Sequence, residues 1–238
     1  MAYLTGFHAI EERIKTGNAQ GPILLAKPGP RAREILSLAS KYKVRVDRVG
    51  THDLDRLAPD HRGIALEIPD SGPRVDISLD EFIETLGEKK DVLVLILDEI
   101  TDPHNYGAIL RSCDQFGADL VISRNRRSAK HAEAIAQTSA GAVDWVRSAE
   151  LANLPRAAED LKNAGFWIYG AAPEGESVHT VDLRGRTALV LGSEGEGISR
   201  LLAEHCDRMI SIPTRGRIDS LNVSVAAGIL LYEARRQR

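Results

Sequence analysis

Val92-Leu93-Val94-Leu95-Ile96-Leu97 is an unbroken aliphatic run closed by Asp98 and Glu99. A strand with one wet face alternates apolar and polar residues, so a continuous run of strand length belongs to a strand buried on both faces, as in parallel sheets covered by helices. The run is also too short to cross a bilayer. Further strands are predicted at 119–123, 166–169, 187–191 and 209–212, separated by helical stretches near 105–117, 129–139, 153–164, 198–205 and 221–237. On the first of those helices, Tyr106, Ile109, Leu110, Cys113 and Phe116 form one apolar stripe. Alternation of this kind predicts an α/β fold built on a parallel sheet.

The residues before this run read as a smaller α/β domain at 1–72. Helical spacing at 6–14 puts Phe7, Ile10 and Ile14 on one face; a second helix is predicted at 33–42 and strands at 23–26, 44–46 and 63–68. Pro69-Asp70-Ser71-Gly72-Pro73-Arg74 combines turn residues with charge and marks the boundary. Residues 73–91 then form a linker, helical at 78–90, and 92–238 the second domain. The net charge of -3 divides unevenly: residues 1–75 carry 12 Lys and Arg against 9 Asp and Glu, and the remainder 19 against 25. A mildly basic front is compatible with a polyanionic partner.

The 238 residues, 43% hydrophobic and 27% charged, can bury a core without covalent staples. Cys113 and Cys206 lie far apart without CxxC spacing, which excludes a disulfide scaffold and fits a reducing cytoplasm. The seven histidines have no metal-ligand spacing, so no metal is expected. Met1-Ala2-Tyr3-Leu4 lacks the basic and apolar regions of a signal peptide, and no membrane association is expected.

Ligands in open α/β sheets bind beyond the carboxyl ends of the strands, and three loops there are rich in glycine and polar residues. In the first, 98–107, Asn105 occupies a helix-capping position and Arg111 follows about a turn and a half later; a cap and a solvated arginine are the plain alternative. The second, Gly192-Ser193-Glu194-Gly195-Glu196-Gly197, has neither the glycine spacing of a dinucleotide site nor a Walker lysine. Its two carboxylates disfavour a pyrophosphate and tolerate a cationic or hydroxyl-bearing ligand; a tight surface turn is the alternative. Ser193 does not sit in a nucleophile elbow. In the third loop, 212–222, Arg215 and Arg217 suit phosphate, while Ser220 and Asn222 open the last helix, where Ser220 would cap and Asn222 be a satisfied polar residue on the plainer reading. Arg124, Arg126, Arg127 and Lys130 form a basic run after a strand, either a solvated face or a contact to RNA backbone.

Taken in order, Asp102-Pro103-His104-Asn105-Tyr106-Gly107-Ala108-Ile109-Leu110-Arg111-Ser112, Leu189-Val190-Leu191-Gly192-Ser193-Glu194-Gly195-Glu196-Gly197, and Ile212-Pro213 through Ser220-Leu221-Asn222-Val223-Ser224-Val225-Ala226 resemble the three motifs of the SpoU/TrmH family of RNA ribose 2′-O-methyltransferases, within the SPOUT superfamily. Gly6-Phe7-His8-Ala9-Ile10 and Gly63-Ile64-Ala65 resemble that family's N-terminal domain, which is similar to ribosomal protein L30e and binds the RNA substrate. Tyr106 and Cys113 stand where leucine and alanine are frequent; both lie on the apolar stripe, so packing is affected rather than chemistry.

The resemblance implies a knotted (trefoil) parallel-sheet methyltransferase domain joined to a smaller L30e-like α/β domain. It also implies S-adenosyl-L-methionine as cofactor and a homodimer with composite sites. The knot comes from the resemblance alone, since general topology rules disfavour one. The implied reaction is methylation of a guanosine ribose in RNA, foremost 23S rRNA; a tRNA ribose methyltransferase and a catalytically inactive RNA-binding assembly factor are the other readings. By motif match the cofactor-binding positions are Gly192, Ile212 and Leu221, and the catalytic or substrate-positioning ones Arg111, Asn105, Glu194, Ser220 and Asn222. Arg13, Arg31, Arg33, Lys41, Lys43 and Arg45 are the expected RNA phosphate contacts of the first domain. A class I Rossmann methyltransferase is disfavoured, because no glycine fingerprint follows the strand at 92–97.

Overall fold

The computed structural model describes the chain apart from residues 1, 20, 59–60, 69–75, 125–128 and 217–219, and apart from the side chains of residues 2 and 129–133. In chain order the first elements are β1 (Ala2–Leu4), α1 (Phe7–Lys15), β2 (Ile23–Leu25), α2 (Pro30–Lys41), β3 (Val46–Arg48), α3 (Thr51–Leu57) and β4 (Ile64–Ile68). Next come α4 (Leu79–Thr85), β5 (Val92–Leu97), α5 (Pro103–Phe116), β6 (Leu120–Ser123), α6 (Ala129–Thr138) and β7 (Ser148–Glu150). Then follow α7 (Leu154–Asn163), β8 (Trp167–Ser177), β9 (Arg186–Leu191), α8 (Arg200–Ala203), β10 (Arg208–Ser211) and α9 (Val223–Arg236). The chain divides into two compact units, Met1–Arg74 with Arg127–Trp145, and Val75–Arg126 with Val146–Arg238.

In the second unit six strands lie in the order β10-β8-β9-β5-β6-β7, all parallel. The aliphatic run is β5, paired with β6 on one side and β9 on the other, and all six of its residues are buried. Val92, Val94 and Ile96 join Leu120, Ile122, Ile168 and Val190 in a core with Phe82 of α4, Leu154 and Leu161 of α7, and Leu202 of α8. Leu93, Leu95 and Leu97 alternate to the opposite face and are equally buried; there α5 packs on α9 and α9 on β9. Glycine-terminated turns and caps set the helix ends. Ser78 caps α4 in a reciprocal box with Glu81, and α4 stops at Thr85, short of the expected residue 90, with Gly87 following at φ +46°. Pro103 occupies the first turn of α5, which ends at Gly117 in the left-handed conformation.

β8 runs far beyond the predicted 166–169. Its pairing with β10 jumps from Met209↔Gly170 to Ile210↔Glu176, so residues 171–175 of β8 face a single step of β10. The chains are pressed together where pairing resumes: a β-carbon on Gly175 would lie 2.5 Å from the Ile210 backbone. Sequence periodicity also missed β7, three residues long, and overestimated α8, which is a single turn.

The first unit is a mixed four-stranded sheet in the order β1-β4-β2-β3, with β4 antiparallel to both β1 and β2 and β3 parallel to β2. Leu4, Ile10, Ile14, Ile23, Ile35, Ile64 and Leu66 form its core, and Ala136 of α6 joins them. Residues 127–145 thus cluster with this unit, whereas their place in the chain had assigned them to the domain at 92–238. β1 and α3 were not expected, and the strand sought at 44–46 lies at Val46–Arg48. The boundary placed at 69–74 lies outside the described residues.

Arg13 corrects another expectation. Assigned to RNA phosphate, it is instead buried, with Nη2 2.7 Å from Asp144 Oδ1, because α1 turns that face toward the 3-10 turn Ala142–Asp144 rather than to solvent. Asn18 Nδ2 donates to the Asp144 carbonyl at 3.2 Å beside it. Arg31 is held by Glu34 and Glu11, and Arg45 by Asp47, while Arg33, Lys41 and Lys43 are exposed.

Candidate functional site

The carboxyl ends of β5, β9 and β10 carry the three loops singled out above. β9 delivers Leu191 and Gly192 into a loop that folds straight back: Ser193 N–H donates to the Gly197 carbonyl and Gly197 N–H to the Ser193 carbonyl, both at 3.1 Å. Gly195 and Gly197 have φ of +108° and +69°, and a β-carbon on Gly192 would fall 2.0 Å from the Gly197 carbonyl carbon. Only glycine fits this crossing at Gly192. The loop is tied to β5 by Asp98, whose side chain is 1% exposed and accepts from Ser199 N–H at 2.8 Å. Arg124 reaches the same corner, donating to Glu99 Oε1 at 2.8 Å, with Nη2 3.7 Å from Asp98 Oδ1.

At the tip of this loop Glu194 meets the other two. Its Oε1 accepts from Asn222 Nδ2 at 2.7 Å, from Val223 N–H at 3.2 Å and from Asn105 Nδ2 at 3.3 Å. Asn222 Nδ2 also donates to Asn105 Oδ1 at 3.0 Å. Asn222 Oδ1 accepts from the N–H groups of Ser224 and Val225, so Asn222 is the N-cap of α9. Residues 89 and 28 positions away in the chain therefore converge on one carboxylate oxygen.

Behind this triad lies a cavity of about 460 Å³. Leu191, Gly192, Ile212, Ser220 and Leu221 line it, so the three expected cofactor positions share one pocket. Its far wall, Ala171, Ala172 and Pro173, is the segment of β8 that the register jump leaves unpaired. The motifs gave no hint of that wall, although it follows a strand at the same sheet end. Asp98 was overlooked too; a carboxylate placed directly after six aliphatic residues was the available signal.

Several expected roles differ in detail. Asn105 does not cap α5; Asp102 does, accepting from His104 N–H at 3.0 Å, because Pro103 fixes the helix start two residues earlier. Ser220 does not cap α9, since Asn222 sits nearer the first turn, but it lines the cavity. Arg111 is exposed on α5 and has no hydrogen bond or ion pair among the described residues, so Asn105 and Glu194 bond one another rather than Arg111. Glu196 and Arg215 are exposed, and neither lines the cavity. Arg217, Arg126 and Arg127 lie outside the described residues, as does the side chain of Lys130. Cys113 is fully buried, and burial, with Asp114 beside it, pushes its thiol far above the usual range, which fits a packing role.

Comparison with known proteins places the chain in a family. The model of the SpoU rRNA Methylase family matches residues 92–232, and that of the RNA 2'-O ribose methyltransferase substrate-binding domain matches residues 3–73. The chain is 39% identical over 242 residues to the 23S rRNA (guanosine-2'-O-)-methyltransferase RlmB of Xanthomonas campestris pv. campestris, covering 99% of this chain and 96% of that protein. It is 40% identical over 218 residues to an uncharacterized tRNA/rRNA methyltransferase of Borreliella burgdorferi, covering 89% and 96%. The fold matches the SpoU methyltransferase AviRb of Streptomyces viridochromogenes, solved in complex with AdoMet, with a TM-score of 0.75 at 24% identity over 99% of this chain and 89% of that one. The chain belongs to the SpoU rRNA methylase family and is an RNA methyltransferase.

Proposed function

We propose that the protein methylates the 2′-hydroxyl of a guanosine ribose in RNA, foremost in 23S rRNA, with S-adenosyl-L-methionine as methyl donor, in the cytoplasm. The observation that carries this reading is the convergence of Asn105, Glu194 and Asn222 beside a glycine-walled cavity. The cavity suits an adenosine-bearing cofactor: Leu191, Ile212 and Leu221 offer apolar surface, and the backbone of Gly192 runs along the wall without a side chain to block it. Gly192, Ile212 and Leu221 would hold it, and it supplies an electrophilic methyl group on a sulfonium.

The residues of the chain supply alignment, which is worth on the order of 7–11 kcal/mol when reacting groups are held in line. Glu194, locked by three donors, and Asn105 orient the ribose; Ser220 and Asn222 position the target nucleotide. Arg111 carries no internal partner among the described residues and is free to take the adjacent phosphate. A guanidinium stays protonated, so its role is to stabilise alkoxide character on the 2′ oxygen while the hydroxyl proton passes to solvent water. The 2′-hydroxyl is absent from DNA, which restricts the substrate to RNA.

The family's substrate-binding model over residues 3–73 supports an L30e-like role for the first unit, with 92–238 as the methyltransferase domain. A trefoil knot accompanies that domain in this reading. So does a homodimer: Val225, Ile229 and Tyr232 form an exposed apolar stripe along α9, the kind of surface a partner covers.

Mapping ribose methyls in total RNA from a strain lacking the gene tests the reading. A guanosine methyl missing from 23S rRNA is expected; one missing from tRNA transfers the assignment to tRNA, and an unchanged map removes it. Arg111→Ala should abolish methyl transfer with S-adenosylmethionine affinity, read by calorimetry, near wild type; full activity would remove Arg111 from the mechanism.

A further inference from the structure

The first unit contains a cavity of about 580 Å³ whose wall includes Thr5, Gly6, His8, Arg62 and Gln137, within the range of ligand pockets, roughly 300–1,000 Å³. Arg62 and Ala140, at φ +48° and +52°, are its strained members, and of the two only Arg62 carries a functional side chain. Both stand in the left-handed region that residues with a β-carbon avoid.

The turn that holds Arg62 there is fixed on both sides. His61 is buried; its Nδ1 accepts from Gly63 N–H at 2.7 Å, which leaves the ring proton on Nε2 to donate to Asp55 Oδ1 at 2.9 Å. Gly63, at φ +92°, passes so close to Lys27 that a β-carbon would lie 2.6 Å from the Lys27 carbonyl oxygen. Its own carbonyl accepts from Ala26 and Lys27 N–H at 3.0 and 3.2 Å. Having been forced into this conformation, the Arg62 side chain gains nothing from the fold: it has no hydrogen bond or ion pair among the described residues.

Beside Ala9 and Ala140, the wall carries the polar side chains of Thr5, His8 and Gln137. Thr5 is 3% exposed, and its hydroxyl accepts from Gln137 Nε2 at 3.3 Å. The first turn of α1 begins at the cavity wall, where Gly6 provides no side-chain cap. Glu11, three residues after His8 on α1, is itself engaged by Lys15 at 3.0 Å and Arg31 at 3.1 Å. Backbone strain clusters at ligand clamps and switch regions, and at Arg62 it falls on a side chain the fold does not use.

We propose that this cavity takes a nucleotide of the RNA substrate other than the one methylated, with Arg62 on its phosphate and the Thr5–Gln137 pair on its base or sugar edge. The assignment rests on the reading of the protein as an RNA methyltransferase whose first unit contacts substrate. Arginine's planar fork matches phosphate oxygens in pairs, and unstacked RNA presents base edges to side chains.

The test uses the full-length protein with Arg62→Gly, Arg62→Ala and Arg62→Lys, and rRNA extracted from a strain lacking the enzyme. Filter binding and methyl transfer are both read as a function of salt. Arg62→Gly relieves the left-handed strain and should melt at or above the wild-type temperature, so weaker RNA binding by that variant is not unfolding. For the glycine and alanine variants the apparent Kd and KM for rRNA should rise about tenfold. The slope of log affinity against log salt should flatten by about 0.7–0.9, the loss of one phosphate contact. S-adenosylmethionine affinity should stay unchanged, and Arg62→Lys should fall between. Wild-type Kd and salt slope in Arg62→Gly and Arg62→Ala would overturn the cavity assignment. Absence of methyl transfer by the wild-type protein would instead overturn the functional reading, with the binding comparison still deciding the cavity.

Discussion

Glu194 Oε1 sits 2.7 Å from Asn222 Nδ2, so a carboxylate from the glycine loop closes onto the N-cap of α9. The favourable end of a helix dipole is its N-terminus, and Glu194 also takes the Val223 N–H there. One oxygen thus welds the second loop to the third and, through Asn105, to the first.

Removing that oxygen should separate structure from catalysis. Glu194→Ala leaves the Val223 N–H and Asn105 Nδ2 unanswered at a solvent-accessible point, while Asn222 Nδ2 keeps Asn105 Oδ1, so stability should fall by only about 0.5–1.5 kcal/mol. Methyl transfer should fall by at least about 10²-fold, the scale of a misplaced catalytic group. Glu194→Gln, which retains an acceptor oxygen, should lie between. Thermal melts beside a transfer assay check both, and near-wild-type turnover in the alanine variant would remove Glu194 from the site.

Two glycines of the same loop should fail for different reasons. Gly192→Ala places a carbon inside the Gly197 backbone and should abolish S-adenosylmethionine binding in calorimetry. Nothing lies within 4 Å of a β-carbon on Gly195, so Gly195→Ala should cost only the strain of its positive φ, about 1–3 kcal/mol, and keep measurable cofactor affinity.

Asp98 joins the end of that loop to the central strand. Asp98→Ala orphans the Ser199 N–H and removes the carboxylate facing Arg124, a destabilisation of about 1–3 kcal/mol. Because the loop lines the cavity, cofactor affinity should drop with it. Asp98→Asn can still accept from Ser199 and should recover most of the affinity; equal losses in the two variants would point to the charge.

Acid should weaken α9 in a defined window. Glu233 is gripped by Arg236 through both carboxylate oxygens, at 2.6 and 2.8 Å, and by Gln237 at 2.9 Å; the Arg236 bonds lead in lowering its pKa from 4.5 to about 2. A carboxylate whose folded-state pKa is depressed contributes stability above its unfolded value and loses it as pH falls toward the folded one. Unfolding curves recorded from pH 7 to pH 2 should show Glu233→Gln less stable at neutral pH and flatter than wild type between about pH 4.5 and pH 2.

The strongly patterned parts of both units were legible in the residues. β5 announced itself because a strand buried on two faces leaves no polar alternation, and α5 and α9 because their stripes are long. Motif resemblance placed Asn105, Glu194 and Asn222 in one site, which periodicity could not do for residues so far apart. β1 and β7 were missed since three residues are too few to show a period, and the wall at Ala171–Pro173 because only the pairing of β8 with β10 exposes it. Arg13 was misjudged since the same residue type serves phosphate and a buried carboxylate, and only packing against Asp144 decides which.

β5 lies against β9 in register from Val92↔Arg186 to Leu97↔Leu191, with β6, β7 and β8 all coming between them in the chain. During synthesis β5 therefore emerges well before the neighbour that covers one of its edges. Until β9 arrives, the most water-averse hexapeptide in the molecule offers an open backbone template to any other nascent chain. Yield of native protein should accordingly depend on elongation speed, temperature and holdase supply more than on equilibrium stability.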